Sequence, residues 1–325
     1  MPGAAHDDPA CSVVIGTIGR PDLLDRCLAA LSASDPLPYE AIVVDNTAGD
    51  AGTRLVAELH GARYVRERWS GLSGARNAGA RASRAPFVAF LDDDAAPAEG
   101  WVGALLDAFS DPEVMAVTGR VVPFEAEAAA RRRMRIPVEP DLGVESRAVS
   151  RTTPDWFEIC NFGGLGIGAN MAFRRAAFDL WPGFRESLGR GTPMQGGEEH
   201  HAFFELVRRG YKVVYTPEAA VEHRYPHTMA AIRRNEFRYL AGAAAYATLL
   251  LLEEPEYRQR TLKYVLESAA GRTRQWRPDG GNAQVTRRWT RYLAYLCGPA
   301  LYPLSLACVG ASRVAALCAR LLGRD

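Results

Sequence analysis

Three consecutive carboxylates, Asp92, Asp93 and Asp94, close an apolar run in the stretch FVAFLDDDAAP (87–97). Like charges this close repel one another and are costly to desolvate, so a positive partner is needed unless all three face water. In a strand, residues two apart face the same way. Asp92 and Asp94 are therefore expected to converge on one point just beyond the sheet edge. Two hard oxygen donors with open positions beside them suit Mg2+ or Mn2+ holding a diphosphate. Such an ion would neutralise the phosphates and the charge of a departing nucleotide. The plainer alternative is that Asp94 caps the following helix while the other two acids are solvated. A second group, EEHHAFFE (198–205), sets His201 and Glu205 one helical turn apart, with Glu198 or His200 nearby. That spacing offers a zinc site for hydrolysis, though the H-E-x-x-H order is absent.

The elements that must position these residues follow an alternating rhythm. Strands are expected at 11–17, 40–46, 62–67, 86–94 and 114–122, with helices at 21–33, 52–61, 73–83 and 98–109. Continuous apolar runs interleaved with helices indicate a mainly parallel sheet covered on both faces. Ligands bind such sheets at the C-terminal ends of the strands. Asp45 and the acid triplet both fall there. Residues 125–158 lose the rhythm and read as a charged helix followed by loop. A glycine-rich turn, short strand and helix follow at 163–178, then a helix at 196–210 and a strand and loop at 211–223. Gly164, Gly166 and Gly168 mimic a dinucleotide fingerprint, but the strand–glycines–helix order and a later ribose acid are missing.

The chain has 325 residues and a formal net charge of +1, so global charge names no partner and no nucleic acid is expected. The distribution is uneven: residues 258–325 hold twelve Arg or Lys against three acids. Two apolar segments stand in this helical region, LAGAAAYATLLLL (240–252) and LAYLCGPALYPLSLACVGAS (293–312), the second broken by Pro299 and Pro303. The second reaches the length of a membrane span. An interfacial helix and a buried hairpin fit it as well, and a membrane surface is a candidate partner. The six cysteines form no C-x-x-C pair and read as reduced residues of a cytoplasmic protein, peripheral at the inner face of the membrane if the tail binds there. The first ten residues read as a disordered lead rather than a secretory signal.

CSVVIGTIGRPDLLDRCLAAL, AIVVDNTAGD, GLSGARNAGARAS, FVAFLDDDAAP, GANMAFRR and GGEEHHAFFELVRRGYKVVYTPEAAVEH occur in that order. Together they resemble the family-2 glycosyltransferases of the nucleotide-diphospho-sugar-binding GT-A fold over residues 11–225. The resemblance implies an α/β, Rossmann-like domain at 11–226, followed by a mostly helical basic region at 227–325. It implies an inverting, cation-assisted transfer of a sugar from a UDP-, GDP- or TDP-linked donor.

By that resemblance Thr17 and Arg20 contact the nucleotide, and Asp45 reads the uracil or ribose edge, unless it only forms the turn in DNTAGD. Arg76 reaches the diphosphate, and Asn77 either helps or caps a helix. Asp92 leans toward the ribose, Asp93 orients a neighbour, and Asp94 is the direct metal ligand. Asn170, in GAN, lines the sugar and acceptor side, and His223 is a third metal ligand or a structural hydrogen-bonding group. Where the family commonly reads Gly-Glu-Asp-x-Asp, this chain has GGEEHH. Glu199 then falls at the catalytic base, with Glu198 before it and His200 and His201 toward the acceptor. A histidine in place of the second Asp leaves the acceptor side open, and a non-catalytic scaffold is the remaining alternative. Neither donor sugar nor acceptor is named by the sequence.

Overall fold

A computed structural model describes residues 8–34, 39–47, 49–68, 71–134, 142–270, 272 and 288–321. Most of the expected lead (1–7), residues 135–141 of the excursion and 273–287 of the tail lie outside the described residues. The first half follows the expected alternation: β1 (Cys11–Thr17), α1 (Pro21–Ser34), β2 (Tyr39–Asp45), α2 (Ala51–Leu59), β3 (Arg63–Arg66), α3 (Leu72–Ala82) and β4 (Phe87–Asp92). Then come β5 (Ala95–Pro97), α4 (Trp101–Asp107), β6 (Val114–Pro123), α5 (Glu125–Arg133), β7 (Arg147–Val149) and α6 (Trp156–Phe162). β8 (Asn170–Arg174), α7 (Ala177–Leu180), α8 (Glu198–Arg208) and β9 (Lys212–His223) complete the sheet region. The C-terminal region is helical: α9 (Met229–Glu253), a 3-10 turn at Pro255–Tyr257, α10 (Arg258–Ala269) and α11 (Arg288–Leu321).

The strands form one sheet in the order β3-β2-β1-β4-β8-β6-β9-β5, with β7 also on β9. β3, β2, β1 and β4 are mutually parallel, as are β6 and β9. β8 runs antiparallel between β4 and β6, and β5 and β7 are antiparallel to β9. The sheet is therefore mixed, with a parallel half as expected and reversals after β4. The acid triplet does not lie within one strand. β4 ends at Asp92, Asp93 and Asp94 form a turn, and the chain re-enters the sheet as β5. Any convergence of Asp92 and Asp94 arises from that turn, not from strand alternation. The excursion at 125–158 holds the expected charged helix, but also β7 and the start of α6 where loop was expected.

Continuous apolar strands are buried because both faces are covered. In β1, Val13 and Ile15 join a core with Leu24, Leu28 and Leu31 of α1 and Trp101, Val102 and Leu105 of α4. Val14, pointing the other way, joins Ala75 and Ala78 of α3 and Phe203 and Phe204 of α8. Each such aliphatic side chain contributes about 1.5–3 kcal/mol by leaving water. α3 lies directly on β1, and glycine at position 79 permits the approach. A Cβ built on Gly79 would stand 2.1 Å from Val14 Cγ1. Gly79→Ala is therefore expected to destabilise the fold by about 1–3 kcal/mol through overpacking, although alanine favours a helix over glycine. Chemical denaturation of G79A, V14A and the double variant checks this: the double should be more stable than the sum of the singles allows.

Candidate active site

The acid triplet finds its positive partners within the chain. β1 pairs with β4 so that Gly16 lies opposite Asp92, which brings the loop after β1 against the turn. β5 pairs with β9 so that Ala95 lies opposite His223, which sets the imidazole beside Asp94. The Thr17 hydroxyl donates to Asp93 Oδ2 at 2.6 Å, Arg20 Nε donates to the same oxygen at 3.0 Å, and Arg20 Nη2 reaches Oδ1. The Asp93 side chain is 1% exposed. Burial pushes its carboxyl up to about 6, against the charge of Arg20 and the Thr17 hydrogen bond. Thr17 and Arg20 thus close over Asp93, while the Arg20 side chain stays 41% exposed and its Nη1 lies 3.6 Å from Asp94 Oδ2.

Asp92 and Asp94 share a different cation. His223 Nε2 lies 3.1 Å from Asp94 Oδ1 and 3.5 Å from Asp92 Oδ2. Burial opposes charge on both sides, but the hydrogen bonds and mutual attraction win. Asp92 is held at about 2, and His223 is pushed up to about 10. One ligand atom from each of Asp92, Asp94 and His223 lies within 4.8 Å of the others. Two hard carboxylate oxygens and an imidazole nitrogen form a donor set that Mn2+ or Mg2+ accepts. Ligation requires a neutral imidazole, so an entering dication would displace the Nε2 proton. His223 Nδ1 is buried with no hydrogen-bond partner.

Arg76 joins this group to the second acidic motif. Its guanidinium is 3% exposed. Nη1 donates to Glu198 Oε1 at 2.8 Å, while Nη2 donates to the Gly168 carbonyl at 2.7 Å and lies 3.4 Å from Asp92 Oδ1. A Cβ on Gly168 would stand 2.8 Å from that Nη2, so glycine is needed at this contact. Arg76 was expected on the diphosphate; its donors are instead turned inward. A shallow, open depression of about 370 Å3 at the start of α1 is lined by Arg20, Asp22, Arg26 and Arg224, with Gly19, Pro21 and Leu23. Arg26 and Arg224 were not singled out in the sequence, because only the fold brings the start of α1 beside the end of β9.

α8 begins at Glu198, as GGEEHH suggested. Glu198 Oε2 and Glu199 Oε2 are both buried without a hydrogen-bond partner. His200 Nδ1 stands 3.3 Å from Glu199 Oε1. Burial disfavours charge on Glu199, but His200 and Arg76 outweigh it and hold its carboxyl below the usual range. Burial and the neighbouring Glu199 push Glu198 up, against Arg76. His201 does not join this group. It sits with Glu205 and Glu254, where burial and the charges of Arg185, Arg208 and Arg209 lower its imidazole to about 3. Glu205 is paired with Arg208 and Arg209, and Glu254 with Arg208. The zinc arrangement with Glu198 or His200 is therefore not assembled, and the carboxylates nearest His201 already hold arginines.

Three further candidates already hold partners within the chain. Asp45 accepts from Thr47 N and Oγ1 on one oxygen and from Asp50 N and the Tyr64 hydroxyl on the other. These four bonds use about as many acceptor positions as a carboxylate has and shape the chain leaving β2. Asn77 accepts from Phe184 N and donates to its carbonyl. Asn170 donates to the Arg120 and Ala219 carbonyls and accepts from the Trp101 indole. Both amides brace buried backbone.

The order of this sheet, with an acid–histidine cluster at its C-terminal edge and a helical extension behind it, defines a GT-A-type transferase. The sequence profile described as glycosyl transferase family 2 matches residues 12–181, and the chain belongs to that family. The succinoglycan biosynthesis protein ExoM of Rhizobium meliloti (strain 1021) is 30% identical over 224 residues, 66% of this chain and 67% of its own length. The pre-mycofactocin glycosyltransferase of Mycobacterium tuberculosis (strain ATCC 25618 / H37Rv) is 32% identical over 155 residues, 47% of this chain but only 30% of that longer protein. Among solved structures, the mannosyltransferase PcManGT from Pyrobaculum calidifontis, in complex with GDP-Man and Mn2+, matches 98% of this chain and 80% of its own. Its TM-score is 0.52 at 17% identity. S. aureus TarS 1-349 with UDP matches 80% of this chain and 72% of its own, with a TM-score of 0.53 at 14% identity. At these identities the structural likeness establishes the fold.

The buried Arg76–Glu198 pair yields a stability test. Arg76→Met leaves Glu198 without its buried cation and is expected to cost about 3–5 kcal/mol in denaturant titration. Adding Glu198→Gln should recover part of that loss.

Proposed function

We propose that the chain is an inverting glycosyltransferase that moves a sugar from a UDP-, GDP- or TDP-linked donor to an acceptor hydroxyl. Glu199 acts as general base, and Asp92, Asp94 and His223 hold Mg2+ or Mn2+. The observation that carries this is the Asp92–Asp94–His223 cluster tied through Arg76 to the acid pair opening α8. The bound ligands of fold neighbours support the donor class, since PcManGT was solved with GDP-Man and Mn2+ and TarS with UDP-GlcNAc. When bound, the dication supplies charge neutralisation for the diphosphate and the leaving nucleotide.

The chain's own residues supply the rest. Arg20, Arg26 and Arg224 line the open depression at the start of α1 and offer guanidinium donors to phosphate oxygens. They take the role first expected of Arg76. Glu199 Oε2, buried and unpartnered, accepts the proton of the acceptor hydroxyl. The acceptor's oxygen, its proton passed to Glu199, bonds to the anomeric carbon from one face while the bond to the donor's diphosphate breaks on the other, which inverts the centre. His200 keeps Glu199 ionised before the acceptor arrives. Glu198 is a positioning residue, fixed by Arg76. The enzyme works in the cytoplasm, at the inner face of the membrane.

Isothermal titration with UDP-, GDP- and TDP-sugars, with and without Mn2+ or Mg2+, tests the donor reading. Manganese- or magnesium-dependent binding is expected for one donor class. In Asp94→Ala the metal-dependent part should vanish. Glu199→Gln should bind donor with unchanged affinity while turnover, followed as transfer or donor hydrolysis, falls about 10²–10⁴-fold, the usual worth of a general base. Normal turnover by E199Q would show that another group takes the proton. Donor binding without any turnover by the native chain would favour the scaffold alternative.

A further inference from the structure

α11 presents one face to the protein and leaves the rest of its circumference uncovered. Ala294, Gly298, Tyr302 and Ser305 are buried, spaced to form one stripe along the helix. At Gly298 the two helix backbones meet: a Cβ there would stand 2.5 Å from Ala244 Cβ and 2.6 Å from the Ala241 carbonyl of α9. Ser305 Oγ donates to the Ser187 carbonyl at 2.6 Å, and Arg185 Nη2 donates to the Tyr302 hydroxyl at 3.4 Å. On the outward side Trp289, Leu296 and Leu304 are 61%, 78% and 52% exposed. Cys297 and Cys308 are exposed on the same helix. No charged residue occurs from 292 to 312. Trp289–Ala311 is the one stretch among the described residues long and apolar enough to cross a membrane. An uncovered apolar surface this long marks a binding surface rather than a solvated one.

The flanking charges select the occupant. From 280 to 324 the sequence holds six arginines (287, 288, 291, 313, 320 and 324) and no acid. Basic residues at both ends of an apolar stripe are complementary to anionic headgroups around hydrocarbon, and each contributes about 1 kcal/mol near such a surface. A second copy of the chain would bring these arginines toward arginines. Trp289 and Tyr292, exposed beside Arg291, are the aromatic types that settle at the lipid–water boundary.

We propose that the outward face of α11 lies in the plane of an anionic bilayer, seated in one leaflet without crossing it. A spanning helix would have to leave α9, giving up the Gly298 contact, the Ser305 hydrogen bond and the buried Tyr302 ring. Pro299 and Pro303 lie within the helix and lack the N–H groups that Tyr295 and Pro299 carbonyls would otherwise accept. Those carbonyls find water at headgroup depth and none at the bilayer centre. The arrangement deepens the membrane part of the proposed function and is independent of which sugar is moved. It also sets α9 between lipid and catalytic helix, because Tyr246 of α9 stands against Gly197, whose Cβ would be 3.1 Å from the ring.

Flotation of the full chain with phosphatidylcholine vesicles, with or without added phosphatidylglycerol, tests the surface. Flotation is expected with the anionic vesicles and is expected to weaken in high salt. Leu296→Glu with Leu304→Glu should reduce the floated fraction at least tenfold while thermal unfolding and nucleotide-sugar binding stay native. Depth separates in-plane seating from spanning. A fluorophore on Cys297 or Cys308, one at a time with the other and Cys318 as serine, should be quenched to equal shallow depth by lipid-borne quenchers. Both labels at about 8–9 Å from the bilayer centre, five and six helical residues either side of the middle of 292–312, would mean a span and overturn the proposal. So would absence of flotation together with self-association in sedimentation velocity. Nucleotide-sugar titration of the same preparations reports separately, so loss of donor binding counts against the transferase reading and leaves the lipid result standing.

Discussion

A single buried guanidinium holds the two halves of the site in register. Arg76 reaches Glu198 at the start of α8, the Gly168 carbonyl ahead of β8 and Asp92 at the end of β4. Burying an arginine costs several kcal/mol, and partners of this number and geometry offset it. The Phe184 ring, 5.7 Å from the guanidinium carbon, adds a cation–π contact. With a carboxylate on either side and a carbonyl between, Arg76 sets the spacing between the acid cluster and the acid pair in the folded chain. Preorganisation of this kind favours a reaction in which a donor and an acceptor must meet in one geometry.

The acids are tolerated by division of labour. Asp93 is closed off by Thr17 and Arg20, Asp92 and Asp94 share His223, and Asp92 also feels Arg76. Of the two sets of His and acid side chains close enough to share a cation among the described residues, Asp92–Asp94–His223 is the one with every member partly exposed. Sheet register brings this about: β1 against β4 delivers Arg20, and β5 against β9 delivers His223. A turn between β4 and β5, rather than the pleat of one strand, brings Asp92 and Asp94 to the same histidine.

Local pattern carried the architecture. Apolar runs located β1, β2, β4, β6 and β9, and the glycine–acid start of α8 was visible in GGEEHH. What escaped depended on partners far away in the chain. Asn77 and Asn170 have side chains that suit ligand binding by type, and nothing beside them in sequence announces their bonds to Phe184 and Trp101; for Asp45 the turn in DNTAGD was legible and the Tyr64 hydroxyl was not. Arg76 and Glu198 are 122 residues apart, so their pairing was not legible. β7 is three residues long and α6 only seven, too short for a period to declare itself against a charged surrounding. The reversal at β8 left no trace either, because a strand buried on both faces reads alike in either direction.

The seam between α9 and α11 bears on how the protein can be shortened. Tyr302 belongs to the same core as Leu249 and Leu250, and Gly298 lets α11 lie directly against Ala241 and Ala244. Truncation before residue 288 would remove that cover and lay a stripe of small side chains on α9 open to solvent. The apolar tail is thus a structural wall as well as an appendage, and solubility is better sought by changing its outer residues than by deleting it.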